Sequence, residues 1–232
     1  MRGQLALLLG ARQQRCALVP VLRTVVHRLQ PLRDMQVESF EATNRKGLIY
    51  ISNQQELPIN KKLLSKRVER ILEAARVREF DIGIQLMKDV QGLNSQYRKL
   101  EAPTDILSFP FHEDAVPGEI PDMVPRDDED LLNIGDCFIS VPYVKNVMEK
   151  DQARQQRGEN IIDPRDRGVL RAMTTCFDLD KRISLLLVHG VCHLMNYDHE
   201  TEEDFQRMAA LEEQIMKDAR LLEDNDDDDE II

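Results

Sequence analysis

The amino-acid sequence predicts an α+β fold, in which a small mixed sheet of about four strands is surrounded by helices. Short β-branched and aromatic runs alternate with segments of helical periodicity in the first part of the chain, whereas the last part is helical throughout. The chain has 232 residues, of which 42% are apolar, and this suits one domain of ordinary size. The predicted order, β-α-β-α-β-β-α-α-α, leaves helices to cover a sheet, as in an α+β or α/β domain.

Four short runs predict the strands, because each is rich in β-branched and aromatic residues. Pro110 marks the end of the third run, since proline cannot donate a hydrogen bond to a neighbouring strand. The runs are GLIYIS at 47–52, FDIGIQLM at 80–87, TDILSFPF at 104–111 and GDCFISV at 135–141.

The segment 59–78 predicts a helix after the first strand, with an apolar face that includes Leu64 and Val68. A second face is basic and is a candidate RNA contact, although a solvated helix face explains the same pattern. Shorter helices are expected at 89–100 and from Pro142 onward. The basic residues are Lys62, Lys66 and Arg70.

Two stretches predict irregular structure. Residues 112–133 hold three prolines, a glycine and the acidic run DDED, which indicates an exposed loop. Residues 151–179 combine polar, turn-forming residues with the helix-compatible run VLRAMTTC, and a flexible insertion is expected there.

The carboxyl-terminal part predicts two further helices. Asp180 is a suitable N-cap for the first, whose almost continuous apolar content through ISLLLVHGVCHLM predicts burial in the core. The sequence TEED at 201–204 resembles a capping box that opens the second helix. That helix places four apolar side chains on one face: Phe205, Met208, Leu211 and Ile215.

The predicted domain spans 47–222 and is flanked by two charged segments. In the expected leader, residues 1–46, six arginines precede the first acidic residue, Asp34, and residues 22–29 can form a basic amphipathic helix. This pattern is typical of a mitochondrial transit peptide. A plastid or cytoplasmic destination, and a short secretory apolar region in LALLL at 5–9, are the alternatives. Seven acidic residues at 223–232 predict a solvated, disordered tail.

Composition restricts the class of function. The chain has 31 basic and 42 acidic residues, and a net charge of −11 argues against indiscriminate binding to nucleic-acid backbones. It lacks an apolar run of the roughly 18 residues that a membrane span needs, so no membrane contact is expected. Its four cysteines form no C-x-x-C pair and predict reduced thiols.

Residues 189–199 read HGVCHLMNYDH. His189 and His193 are four residues apart and share one helix face, but His199 reaches them only if the chain reverses. Asn196 suits that turn, because asparagine enters the left-handed region readily. Three neutral nitrogen donors with room for water predict a catalytic metal site. Zinc is favoured, with nickel, iron and copper as alternatives.

Gly190 stands where zinc proteases of the same histidine spacing keep a glutamate base. The missing carboxylate argues against peptide hydrolysis. Cys192 points away from the two helical histidines and is expected in the core. Asp198 either orients a metal ligand or lies in an exposed turn.

Three blocks together resemble the YbeY-type endoribonucleases, metal-dependent hydrolases with a zincin-like core. They are LNSQYRKLEAPTDILSFPF at 93–111, NIGDCFISV at 133–141 and LLLVHGVCHLMNYDH at 185–199, and the similarity covers most of 47–220. The resemblance implies one Zn²⁺ held by His189, His193 and His199 with a water. It also implies cleavage of single-stranded RNA in ribosomal RNA maturation, small-subunit assembly and ribosome quality control.

Arg98 lies in the N-x-x-Y-R element and matches the active-site arginine of that family. A planar guanidinium can hold two phosphate oxygens and offset negative charge in a transition state. Arg98 and His189 are therefore the catalytic candidates. Three features depart from the family pattern. Asn196 replaces a glycine, the longer connection between Gly135 and His189 puts 151–179 outside the resemblance, and the acidic tail is not a family feature.

Three functions stand as hypotheses. In the first, a metal-dependent endoribonuclease uses water or a ribose 2′-hydroxyl to attack phosphorus, and Arg98 stabilises the charge; the general base is unassigned. Its partners would be an rRNA precursor and the small ribosomal subunit with its assembly proteins. The alternatives are a non-catalytic ribosome-assembly factor with a structural metal and, third, a metalloprotease.

Overall fold

The computed structural model describes residues 45–125 and 127–223. Within these residues the α+β class and the four predicted strands are confirmed, and seven α-helices and a 3-10 turn at Glu129–Leu131 accompany the strands. In chain order the elements are β1 (Ile49–Asn53), α1 (Lys61–Ala74), β2 (Asp81–Met87), α2 (Gln91–Arg98), β3 (Ile106–Pro110), α3 (Ile120–Met123), β4 (Asn133–Ser140), α4 (Val141–Gln156), α5 (Gly168–Thr174), α6 (Leu179–Leu194) and α7 (Glu202–Asp218).

The strands form one mixed sheet in the order β1-β2-β4-β3. Strands β1, β2 and β4 are parallel, and β3 runs antiparallel to β4. Along β2 the buried residues Ile82, Ile84 and Leu86 alternate with half-buried ones. Because alternate side chains of a strand point to opposite faces, one face of the sheet carries most of the core.

Helix α6 passes through the centre of the domain and packs on β3, β4, α1, α4 and α7. Every residue from Arg182 to Leu194 is buried, as the apolar run predicts. The N-cap is Asp178, whose carboxylate accepts a hydrogen bond from the Lys181 amide at 2.6 Å, so the prediction of Asp180 is wrong. Asp180 instead accepts a hydrogen bond from the Asn60 amide at 3.1 Å and joins the starts of α6 and α1.

The segment at 112–133 is only partly the exposed loop that its prolines predict. It contains α3 and the 3-10 turn, and Ile120, Val124 and Leu132 are buried in the core. The acidic residues at 127–130 are exposed. The prediction fails at the apolar positions because the loop folds back over the domain and buries them, which removes apolar surface from water.

The segment at 151–179 is also more ordered than predicted. It contains the end of α4 and all of α5, which packs on α6 and α7. Within it Asp151 pairs with Arg182 of α6 at 2.7 Å, and the side chains are 5% and 1% exposed. Arg182 also donates to the Cys176 carbonyl oxygen at 3.2 Å. These contacts tie the segment to the core, so the expectation of flexibility is wrong there.

The first described residues, Arg45 and Lys46, fall within the predicted leader of 1–46 but contact the domain. Arg45 forms an ion pair with Asp81 at 3.0 Å. Thr201 is the N-cap of α7, as predicted, since its hydroxyl accepts a hydrogen bond from the Asp204 amide at 3.1 Å. In place of the second bond of a capping box, the Asp204 carboxylate accepts from the Thr201 hydroxyl at 2.7 Å. Most of the predicted leader (1–46) and tail (223–232) lies outside the described residues, which leave out 1–44 and 224–232. No helix within the described ranges is long and apolar enough to cross a membrane.

We expect Asp151→Asn to lower the free energy of unfolding by about 3 kcal/mol, because the charge of Arg182 is left buried without a counter-ion. Urea denaturation measures this. Glu149→Gln is the matched control: it removes a partner of the exposed Lys145 contact at 3.7 Å and should cost less than about 1 kcal/mol. Equal effects of the two substitutions would show that the Asp151 pair does not stabilise the core.

Candidate metal centre

Three histidines converge where α6 ends. His189 and His193 lie one turn apart on α6, and His199 follows the turn. Their candidate ligand nitrogens all lie within 4.8 Å of one another, and the Nε2 atoms of His189 and His193 are 3.1 Å apart. The predicted cluster is thus formed, and it is able to bind a metal ion.

The turn that brings His199 back is built as the sequence predicts. Asn196 has a left-handed backbone, with φ of 63°, and its side-chain amide donates to the carbonyl oxygens of His112 and Ala115 at 2.6 and 3.0 Å. The Tyr197 amide donates back to the Cys192 carbonyl oxygen at 3.0 Å. Asn196 therefore ends the helix and also holds the neighbouring loop. Asp198 accepts a hydrogen bond from the His199 amide at 2.7 Å, which stabilises the backbone of the third histidine.

The Nδ1 atoms of His189 and His193 each have a hydrogen-bond partner, and this partner determines which ring nitrogen carries the proton. The Nδ1 atom of His193 lies 2.9 Å from the Tyr197 carbonyl oxygen, which can only accept. The Nδ1 atom of His189 lies 2.7 Å from a carboxylate oxygen of Glu212. We therefore assign the proton to Nδ1 in both rings, and the Nε2 lone pairs face each other within the cluster. Two lone pairs at that distance favour a cation between them, so the donor set fits a metal ion.

Burial keeps His189 and His193 neutral. Burial, together with the charges of His199 and Arg98, lowers the pKa of His189 to about 3. The pKa of His193 is also well below its usual value, again chiefly because of burial. Burial raises the pKa of Glu212 to about 7, against the hydrogen bond from Val169 and the charge of His199. Neutral imidazoles are the form that binds metal ions.

Arg98 acts on the site from the last residue of α2. Its positive charge lowers the pKa of both His189 and His193. The rest of the N-x-x-Y-R element anchors the helix: Asn94 is buried and donates to the Ala102 carbonyl oxygen at 2.7 Å, and the Tyr97 ring packs edge-on against Phe109 of β3 at 5.1 Å. Arg98 is thereby presented beside the histidines by a helix that is tied to the sheet.

Comparison with known proteins identifies the family of this chain. The sequence model of the family described as Endoribonuclease YbeY matches residues 50–162 and 166–220. The chain belongs to the endoribonuclease YbeY family. The match continues through most of 151–179, so the structured part of that segment belongs to the family fold, and only 163–165 fall outside the match.

Several relatives named Endoribonuclease YbeY are similar over most of their length. The human protein is 28% identical over 172 residues, which is 73% of this chain and 86% of the relative. The protein of Persephonella marina is 32% identical over 165 residues, covering 70% and 85%. The protein of Acinetobacter baumannii is 31% identical over 166 residues, covering 69% and 84%.

Two buried carboxylates near the site were missed in the sequence. Asp105 is 5% exposed at the start of β3 and accepts a hydrogen bond from the Ile106 amide at 2.8 Å. Burial raises its pKa, and the charge of Arg98 opposes that rise. Glu212 is 4% exposed on the buried side of α7. A signal for Glu212 existed, because it lies between Met208 and Ile215 at helical spacing and so interrupts an apolar face.

The remaining predicted residues lie outside the cluster. Cys192 is fully buried in the core, as expected. Lys62 is exposed on α1, whereas Lys66 and Arg70 are half-buried there. Their predicted contact with RNA stays a prediction.

Gly190 faces the sheet rather than open space. A Cβ atom at this position would lie 2.8 Å from the Cδ1 of Ile106 and 2.9 Å from the Sγ of Cys137. Helix α6 therefore packs so closely on β3 and β4 that a side chain there would displace its neighbours. A glutamate base at position 190 would have to enter the core, where burial of its carboxylate is costly. Close packing therefore explains why this position is a glycine and not the glutamate of a protease.

Gly190→Ala should lower the free energy of unfolding by about 1–3 kcal/mol, because the added methyl group overpacks the contact between α6 and the sheet. Gly92→Ala is the matched control, since nothing lies within 4 Å of a Cβ atom at that position in α2. The control should be neutral or stabilising by up to about 1 kcal/mol. Thermal and urea unfolding measure both. A neutral Gly190→Ala would contradict the close packing.

Proposed function

We propose that this chain is a zinc-dependent endoribonuclease that cleaves single-stranded RNA in ribosomal RNA processing, small-subunit maturation and ribosome quality control. One observation carries the proposal: three histidines form a cluster able to hold a metal ion, near the positive charge of Arg98, in a chain whose family is named for endoribonuclease activity. A hydrolytic metal site next to a fixed cation suits a phosphodiester.

His189, His193 and His199 would hold the zinc ion. Three imidazole ligands leave a coordination position for water, as in catalytic rather than structural zinc sites. When bound, zinc supplies a Lewis acid that acidifies water and polarises a phosphoryl oxygen. The hydrogen bonds at the two Nδ1 atoms keep both helical rings oriented with Nε2 toward the cluster.

Arg98 would bind the scissile phosphate. Its guanidinium can donate two parallel hydrogen bonds to phosphate oxygens and offset the charge that develops as the nucleophile attacks phosphorus. The anchoring of α2 by Asn94 and Tyr97 limits the motion of this group before substrate arrives. Lys62, Lys66 and Arg70 on α1 are proposed as a second RNA contact, through their positive charge.

The packing of Gly190 disfavours the metalloprotease alternative. Peptide hydrolysis by this histidine arrangement needs a carboxylate base next to the metal ligands, and the structure leaves no space for one at residue 190. The assembly-factor alternative keeps the metal site but assigns no reaction to it, so only an activity measurement separates it from the endoribonuclease.

We expect zinc-loaded protein to cleave a single-stranded precursor of small-subunit rRNA, and expect chelation or His193→Ala to abolish cleavage. Arg98→Ala should reduce kcat by about 10²–10³-fold, the usual effect of removing one group that stabilises transition-state charge. Arg98→Lys should recover part of the loss, because it restores charge without the planar fork. Single-turnover cleavage of end-labelled RNA measures these rates.

Lys150→Ala is the matched control for charge, since Lys150 is exposed on α4; its rate should stay near that of the wild type. Unchanged cleavage by His193→Ala and Arg98→Ala would refute the proposed mechanism. Rescue of ribosome maturation in knockout cells by the triple-histidine variant would favour the non-catalytic assembly factor. Chelator-sensitive cleavage of a casein-like peptide would favour the protease.

We further propose a mitochondrial destination, on the basis of the arginine-rich, acid-free start of the expected leader. Residues 1–46 fused to a fluorescent protein should enter mitochondria, and replacing Arg23 and Arg28 by glutamine should leave more of the fusion in the cytosol. Fluorescence microscopy with a mitochondrial marker measures the distribution. Plastid or cytosolic fluorescence of the unaltered fusion would contradict this proposal.

A further inference from the structure

A single carboxylate, that of Glu212, joins a candidate metal ligand to a distant part of the backbone. Its Oε1 atom lies 2.7 Å from the Nδ1 of His189, and its Oε2 atom accepts a hydrogen bond from the Val169 amide at 2.9 Å. The residue is 4% exposed and His189 is 5% exposed. Glu212 is therefore shielded from water and occupied on both oxygens, which suits a positioning group and not a general base.

Only a carboxylate satisfies both partners of Glu212. The ring nitrogen of His189 and the amide of Val169 are donors, and each meets a different oxygen. A glutamine has one oxygen and one NH₂ group, so one of the two donors would face another donor inside the core. An unsatisfied buried donor is costly, and the ring of His189 would lose the partner that holds its Nε2 toward the cluster.

The start of α5 is shaped to approach Glu212. Gly168 has φ of 55°, and a Cβ atom there would lie 2.1 Å from the Oε2 of Glu212 and 3.2 Å from the Cα of Ala209. A glycine at this position thus allows the backbone to reach the carboxylate. The Gly168 amide donates at 3.1 Å to Glu213, the neighbour of Glu212 on α7.

We propose that Glu212 is a positioning residue that orients His189 for the metal, and that the backbone of Gly168 and Val169 holds Glu212 in place. The start of α5 is thereby coupled to the affinity of the site for its metal. The inference rests on the proposed zinc site and adds a group outside the three histidines.

The test compares Glu212→Gln with Glu213→Gln in the full chain. Both substitutions replace a carboxyl group of α7 that accepts a hydrogen bond from the start of α5, but only Glu212 contacts a histidine. We expect Glu212→Gln to raise the zinc dissociation constant by about 10–100-fold, the usual effect of losing such a partner, and Glu213→Gln to change it by less than about 3-fold. Competition with a chromophoric chelator measures zinc affinity.

A spectroscopic measurement separates positioning of the ligand from a general loss of stability. Co²⁺ replaces zinc, and its visible absorption reports the geometry of the ligands. The spectrum of Glu212→Gln should differ from that of the wild type, whereas that of Glu213→Gln should not. Gly168→Ala perturbs Glu212 from the side of α5 without touching a histidine, and it should weaken zinc binding in the same direction.

The outcomes are distinguishable. The positioning role of Glu212 is refuted if Glu212→Gln keeps the zinc affinity and the cobalt spectrum of the wild type. It is also refuted if the Glu212 and Glu213 variants lose zinc affinity equally. Neither result would affect the proposed function. Wild-type zinc affinity in folded Gly168→Ala would overturn the coupling to α5. If Glu212→Gln does not fold, Gly168→Ala decides the question by the same two measurements. Failure of the wild type to bind zinc or cobalt would refute the proposed function as well.

Discussion

Close packing of α6 on the sheet is the constraint on which the rest of the site depends. At Gly190 the helix approaches Ile106 of β3 and Cys137 of β4 so closely that a Cβ atom would force these side chains to shift. This contact fixes the rotation of the helix about its own axis, and the rotation determines where His189 and His193 lie. The same contact removes the position that a protease uses for its base. The same packing contact therefore positions the metal ligands and disfavours a protease mechanism.

Packing positions the histidines, and hydrogen bonds then determine the orientation and tautomer of their rings. The rings of His189 and His193 could rotate or exchange tautomers, but Glu212 and the Tyr197 carbonyl oxygen each engage one Nδ1 atom. Because the site is buried, these bonds form in surroundings of low dielectric constant, where a lost partner is costly. The site is thus held by elements far apart in the chain: α6, the turn after it, α7 and the start of α5.

Local features of the sequence predicted much of the secondary structure and of the histidine cluster. The four-residue spacing on a helix predicted that His189 and His193 share a face, and the turn chemistry of asparagine predicted the left-handed Asn196. The alternating strands and the N-cap at Thr201 were equally accessible, since each depends on neighbours within a few residues. Long-range pairs were not accessible: Asp151 with Arg182 and Glu212 with His189 join residues whose proximity no local pattern encodes. For that reason 151–179 was expected to be flexible.

The sequence by itself determined the ligand type, its spacing, the turn that closes the cluster and the family to which these residues belong. The tertiary structure alone decided which groups surround the ligands: the contact that excludes a side chain at Gly190, the charge of Arg98 within reach of the histidines, and the carboxylate of Glu212 behind His189. The physical reason is the distance along the chain over which each interaction acts. Helical spacing and turn propensity act over a few residues, whereas burial, pKa shifts and hydrogen bonds between elements arise only when distant segments pack together.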